Sequence, residues 1–247
     1  MALRDAILAL SPTIYWPMDD TSSSIAADAS GNGHVGSILT GTAVGAPGPE
    51  LDTTCFAGSM FDAGIQLAGT NPLTGTGPFT MLIWHAAVAM TTFHKVLIYN
   101  GLSNSTGVGE TLNNTIIDEL YGGLGVRGTG FSLTLGFWHQ VAFRFRPSID
   151  ESTFLDGAAP NTAAAGIPNT VVGSNPALAQ TPNPGLIAHA AFWNTALSDA
   201  DIAGIFAAGP GNPPAPAVTG RNATDVDILA LENKLDTILA SVRRMYF

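Results

Sequence analysis

From residue 13 to residue 193 the chain is a series of short apolar or alternating runs, each closed by Gly, Pro, Asn or Ser. They read TIYWPM, SMFDAGIQL, FTMLIWHAAVAM, HKVLIYN, LYGGLGVR, FSLTL, WHQVAFRFR, STFLDG and LIAHAAFWN. Runs of this length, rich in aromatic and β-branched residues, bury their side chains as strands rather than as helices. No strand–helix–strand alternation separates them, so a parallel sheet is excluded. The expected fold class is all-β, with two antiparallel sheets packed as a sandwich. At 247 residues and 46% apolar, the chain is long enough to close a substantial core.

Two helical signals flank the strands. Residues 2–10 place Leu3, Ile7 and Leu10 on one side before Pro12 ends the run. Leu197–Ala208 offers Ser198 and Asp199 as start signals, with Leu197, Ile202, Ile205 and Phe206 as the apolar face. The expected organisation is an N-terminal arm over 1–12, a sandwich over 13–208, a Pro/Gly-rich linker over 209–220 and a C-terminal helix over 221–247.

In that last segment Ile228, Leu231, Leu235, Ile238, Val242 and Met245 recur at alternating spacings of three and four. Such a coiled-coil seam is stabilised by burial against other helices, because an isolated helix of this length is marginal in water. Thr224, with Asp227 three residues on, supplies a start signal close to a capping box. Pro213, Pro214 and Pro216 stiffen the spacer ahead of it. The expectation is a homo-oligomer, a trimer ahead of a dimer, or docking into a larger assembly.

Other classes are weighed against the composition. A formal charge of −10 with nine scattered Lys and Arg excludes nucleic acid as a partner, since phosphate contacts need clustered cations. No stretch approaches the roughly 20 apolar residues of a membrane helix, so no membrane partner is expected. MALRDAILALSP is too short and too interrupted by Arg4 and Asp5 for a signal peptide, which implies synthesis and assembly in a cytoplasm. A lone Cys55 leaves no intrachain disulfide and reads as a core residue.

Catalytic patterns are missing from the sequence. His34, His85, His94, His139 and His189 are dispersed, without a helical zinc spacing. The acidic pairs Asp19/Asp20, Asp118/Glu119 and Asp150/Glu151 would point to opposite faces of a strand and read as solvated turn charges. Trp16, Trp84, Trp138 and Trp193 lie in strand-like runs and read as core. Gly31, Asn32 and Gly33 suit a tight reversal after Asp28, and Asp156–Gly157 suits a type I′ hairpin turn.

The order YWPMDD, DASGNGHVG, FTMLIWHAAV, WHQVAFRF, FLDG and AAFWNTALSDADIAGIF resembles the laminin-G-like jelly roll of the concanavalin-A-like superfamily over residues 13–208. The resemblance implies a lectin-like sandwich and a calcium ion at its rim, for which Asp28 and Asn32 are the matching candidates, with Asp19 or Asp20 beside them. LIAHAAFW carries His189 close to where relatives have an acidic residue. The alternating carboxylates of the glucan-cleaving members do not occur, so no enzyme is expected. A leaderless, acidic, Gly/Ala-rich chain of this design also resembles minor tail, fibre or head-decoration proteins of tailed-bacteriophage virions. That likeness implies other virion proteins and cell-surface glycans as partners. The alternative is a bacterial glycan-binding or glycan-cleaving module.

Overall fold

A computed structural model describes residues 2–20, 24–39, 42–50, 53–58, 64–73, 77–88, 91–102, 106–121, 125–164, 176–178 and 185–215. All of them belong to one compact unit, Met1–Pro216. The heptad residues Ile228, Leu231, Leu235, Ile238, Val242 and Met245, and with them the expected coiled coil, lie outside the described residues.

Helix α1 (Leu3–Ala9) opens the chain. Strands β1 (Ile14–Trp16), β2 (Ile25–Ala26), β3 (Gly36–Ile38), β4 (Thr42–Pro47), β5 (Thr54–Gly58) and β6 (Ile65–Leu67) follow as short pieces. Longer strands come next: β7 (Phe79–Ala87), β8 (Thr91–Leu102), β9 (Thr106–Asn114), β10 (Ile116–Tyr121), β11 (Gly125–Ser132) and β12 (Trp138–Arg146). The chain then forms β13 (Asp150–Leu155), β14 (Asn161–Ala164), β15 (Pro176–Leu178), β16 (Gly185–Trp193) and helix α2 (Asp199–Ala208).

One sheet runs β14-β13-β12-β7-β16-β5-β4, and the other β11-β10-β9-β8-β15-β6-β3-β2. Every described pairing is antiparallel, and the crossovers β12 to β7 to β16 to β5 give the two-sheet sandwich its jelly-roll character. Strand β1 adds to β16 beside β5. It pairs with Ala190–Phe192, whereas β5 pairs with Gly185–Ile187.

Strands β7 and β16 are buried along their whole length, and period-two geometry explains why. On β7, Phe79, Met81 and Ile83 enter the core between the sheets, while Leu82, Trp84 and Ala86 face the opposite side. There they meet Leu3 and Ile7 of α1 and Ile202 and Ile205 of α2. The sandwich therefore carries a third, helical layer over one sheet. A strand apolar on both faces is the sequence signature of such double coverage.

All four tryptophans are buried, as expected from their runs, and Cys55 is buried too, its thiol pushed up to about 12 by burial. Helix α2 starts at the anticipated place: Ser198 Oγ accepts from Asp201 N at 3.1 Å and Asp201 Oδ2 accepts from Ser198 N at 3.1 Å. This capping box stabilises the first turn by about 1 kcal/mol. Arg144 supports the same end, donating to Leu197 O at 3.0 Å and to Asp199 Oδ1 at 2.5 Å from beneath the helix.

The DG turn and the WH strand prove to be one device. Asp156 and Gly157 both have positive φ, 54° and 66°, as a type I′ turn requires. His139 Nε2 accepts from Thr134 N, so its Nδ1 carries the proton and donates to Asp156 Oδ2 at 2.7 Å.

The first half of the Pro-rich segment is not a free spacer. Trp138 N donates to Pro213 O at 3.0 Å, Ala215 N to Gly136 O at 2.7 Å, and Phe137 and Pro214 form a β-bridge. A β-sheet edge offers unpaired backbone groups, and prolines, which lack an N–H but keep a carbonyl, can still accept from it. Among the described residues, no helix is long and apolar enough to cross a membrane.

Candidate functional site

The turn at Asp28 is organised by one carboxylate. Asp28 Oδ1 accepts from Tyr15 N at 3.0 Å and Ser30 N at 2.9 Å. Its Oδ2 accepts from Ser30 Oγ at 2.9 Å and His34 N at 2.8 Å. Asn32 donates its amide nitrogen to Pro12 O at 3.2 Å and Thr13 O at 3.0 Å, lashing the turn to the entry of β1. Gly31 and Gly33 take φ of 86° and 79°, while Asn32 does not adopt the left-handed conformation its neighbours do.

These residues do not fit a calcium ion. Four N–H and O–H donors aim at the Asp28 oxygens, whose lone pairs a hard cation would need. Asp20 is likewise taken up by Ala27 N, and Asp19 by Arg4 at 3.1 Å. No group of three or more His, Cys, Asp or Glu able to hold a metal occurs among the described residues.

His189 sits at φ 51° in an irregularity of β16 between Ala188 and Ala191, where β1 and β5 meet. Its Nε2 lies 3.1 Å from Glu50 Oε2, and its Nδ1 lies 2.7 Å from the Tyr15 hydroxyl. A carboxylate can only accept, so Nε2 carries the proton and Nδ1 accepts from Tyr15. Hydrogen bonding to His189 holds Glu50 below the usual carboxylate range against the opposing effect of burial, and burial pushes the Tyr15 phenol up. His189 brings a donor to this junction, not an oxygen ligand.

Beside the Asp28 turn, the C-terminal end of α1 and the start of β1 leave an open cleft of about 580 Å³. Leu8, Ser11, Pro12, Thr13, Ser30, Asn32 and His34 line it. This volume falls within the range of small-molecule sites. Among the described residues its wall mixes hydroxyl, amide and imidazole groups with two apolar side chains and contains no lysine or arginine.

A second polar centre was misread at the sequence level. Glu119 and Glu151 are not solvated turn charges but are buried, and Asp118 is nearly so. The alternation argument was right that neighbours face opposite ways; it could not say that one of each pair faces inward. The β9–β10 hairpin sets Glu110 directly opposite Glu119, and Glu119 opposite Arg127 of β11. Arg127 Nε donates to Glu119 Oε2 at 2.7 Å, its Nη2 donates to Oε1, and its Nη1 reaches Asn161 Oδ1 at 2.6 Å. From the other sheet Thr153 Oγ1 lies 2.7 Å from both Glu110 Oε1 and Glu119 Oε1.

One hydroxyl proton cannot serve two carboxylates. Thr153 Oγ1 is a donor set between the two carboxyls, and a proton held on Glu110 removes the charge that the single hydroxyl cannot serve. Burial first, and the Glu119 charge second, raise Glu110 well above the usual carboxylate range, with Thr153 and Arg127 opposing. The native state thus holds this proton more tightly than the unfolded chain does. Its stabilising contribution is complete below the ordinary glutamate pKa and is lost as pH rises through the raised folded value. Thermal melts from acid to alkaline pH should therefore show the wild type losing stability relative to Glu110→Gln. Parallel pH profiles would show that the carboxyl is not held neutral. The sequence clue was spacing: Glu110 and Glu119 are symmetric about a hairpin that turns at Asn114–Thr115.

The arrangement defines a class by architecture: a two-sheet antiparallel jelly-roll sandwich. Solved structures share it. Trypanosoma rangeli sialidase in complex with 2,3-difluorosialic acid is 17% identical with a TM-score of 0.59, over 78% of this chain and 32% of that one. The binding domain of botulinum neurotoxin DC in complex with SialylT is 12% identical with a TM-score of 0.62, over 81% and 52%. Domain 4 of an extracellular arabinanase from Geobacillus stearothermophilus, in complex with arabinotriose, is 16% identical with a TM-score of 0.61, over 78% and 97%. The chain thus spans about a third of the sialidase and about half of the neurotoxin binding domain, but nearly all of the arabinanase domain. At these identities the likeness is one of fold. No family model matches the chain, and no curated protein sequence does.

Proposed function

We propose that this chain is a carbohydrate-binding sandwich module carried on a multisubunit assembly, as a tail, fibre or decoration subunit of a tailed-phage virion would carry it. The observation that supports the binding role best is the near-complete overlap with a whole domain whose structure contains arabinotriose. A small polar cleft at the edge of the sandwich supports the same reading. Binding is favoured over cleavage because the two facing carboxylates, Glu110 and Glu119, are sealed inside the sandwich, where no substrate reaches them. The assembly role rests on the heptad pattern of Ile228 to Met245, and coupling weak glycan contacts to an oligomer would raise their avidity.

The test is light scattering of the full chain beside a version ending at Gly220, each then applied to a glycan array. A discrete oligomer that becomes monomeric on truncation, with glycan signal falling in step, is the expected result. Equal monomeric masses would remove the assembly role. An array blank with the full chain would remove the binding role.

A further inference from the structure

We infer that the cleft between α1 and the Asp28 turn is a saccharide site, and that it takes neutral rather than sialylated sugars. The inference rests on the carbohydrate-binding reading above and assigns it a place and a ligand class.

Three polar groups on the cleft have capacity to spare. The Asn32 amide nitrogen is spent on Pro12 and Thr13 carbonyls, but its oxygen accepts nothing within the described residues. Among the described residues His34 uses only its backbone, donating N–H to Asp28 and accepting from Trp16 Nε1 at its carbonyl, and its ring is uncommitted. Ser11, held at φ 51°, engages its backbone N–H with Leu8 O and leaves its hydroxyl uncommitted among the described residues. Half-buried Leu8 supplies apolar surface beside these groups, and Pro12, also in the lining, is buried. Acceptors, a hydroxyl and a ring next to aliphatic surface suit a ligand with hydroxyls at its edge and C–H groups on its face, which is the chemistry of a pyranose or furanose.

Charge selects within that class. Among the described residues no lysine or arginine lines the cleft, and the Asp28 carboxylate stands 2.9 Å behind Ser30 Oγ. The whole chain carries −10. A sialoside carboxylate entering here would be desolvated without a cation and would approach a field of its own sign. A neutral oligosaccharide meets neither cost.

The positioning of the turn is also favourable. Asp28 ties the turn to Tyr15 of β1, and Asn32 ties it to the residues that precede β1. Groups fixed in this way lose little freedom when a ligand arrives.

The experiment is NMR titration and calorimetry of the full chain at neutral pH with arabinotriose, a panel of other neutral trisaccharides, and sialyllactose. His34→Ala is the test variant, since its ring makes no internal bond and melting should be unchanged. The expected result is a neutral sugar that shifts the His34 ring resonances and binds about tenfold more weakly to His34→Ala, a change of roughly 1.4 kcal/mol. Neutral sugar bound without a His34 shift and with undiminished affinity for His34→Ala would overturn the site while leaving the binding function standing. Preferential binding of sialyllactose would overturn the neutral selectivity. Failure of the full chain to bind any sugar would overturn the carbohydrate reading itself, and this inference with it.

Discussion

Trp84→Ala should lower the melting temperature by about 10 °C, from a loss of about 3–5 kcal/mol in a unit of this size. Trp84 is fully buried on the helix-covered face of β7, and Phe206 of α2 stacks on it at 5.8 Å with the rings 10° apart. Two glycines shape its surroundings. A Cβ on Gly209 would come within 2.6 Å of the Trp84 ring, and one on Gly157 within 2.9 Å of Phe206. Smaller side chains cannot move in to refill the space, because the neighbours are sheet backbone and a capped helix. Differential scanning calorimetry would read the effect directly, and loss of near-ultraviolet circular dichroism would accompany it. A cost below about 1 kcal/mol would mean that α2 does not seal this face as described.

Arg127→Met should be comparably damaging, at about 3 kcal/mol, because it leaves Glu119 buried without its cation. Glu119 is fully enclosed, opposite Glu110 and hydrogen-bonded to Thr153. Two carboxyls facing each other across a strand pair already repel when both are charged. Without Arg127, Glu119 must either take up a proton or remain an uncompensated buried charge. The double variant Glu119→Gln/Arg127→Met should recover most of the loss, since it removes the charge as well as its partner. Urea unfolding of the two variants beside the wild type would check this. Equal instability of single and double variants would show that Arg127 contributes packing and its bond to Asn161, not neutralisation.

The two polar centres behave differently for a physical reason. The network at Glu110, Glu119 and Arg127 joins the two sheets, since Thr153 and Asn161 come from the sheet opposite. Most of its polar atoms bond to one another, inside the sandwich. At the cleft, hydrogen bonds hold the turn and, among the described residues, leave the Asn32 amide oxygen, the His34 ring and the Ser11 hydroxyl uncommitted. Chemistry aimed at a ligand needs the second kind of arrangement.

What local sequence determined is what local physics controls. Short aromatic and β-branched runs between turn formers specified strands, Ser198 and Asp199 marked the start of α2, Asp156–Gly157 made its turn, and the four tryptophans were core. Each depends on neighbours a few residues away. Three features were decided only by the tertiary structure. Period-two alternation says that Glu119 and Asp118 face apart, but only the packing of one sheet on the other says which is interior. Asp28 could be read as an oxygen ligand until the fold brought Tyr15 and the backbone of its own turn to it and made it an acceptor of four donors. The cleft is assembled from the end of α1 and a turn some twenty residues later, joined by the bonds from Asn32 and Asp28 to residues 12–15. Sequence spacing encodes contacts along one element; contacts between elements distant in the chain are set by how the layers close.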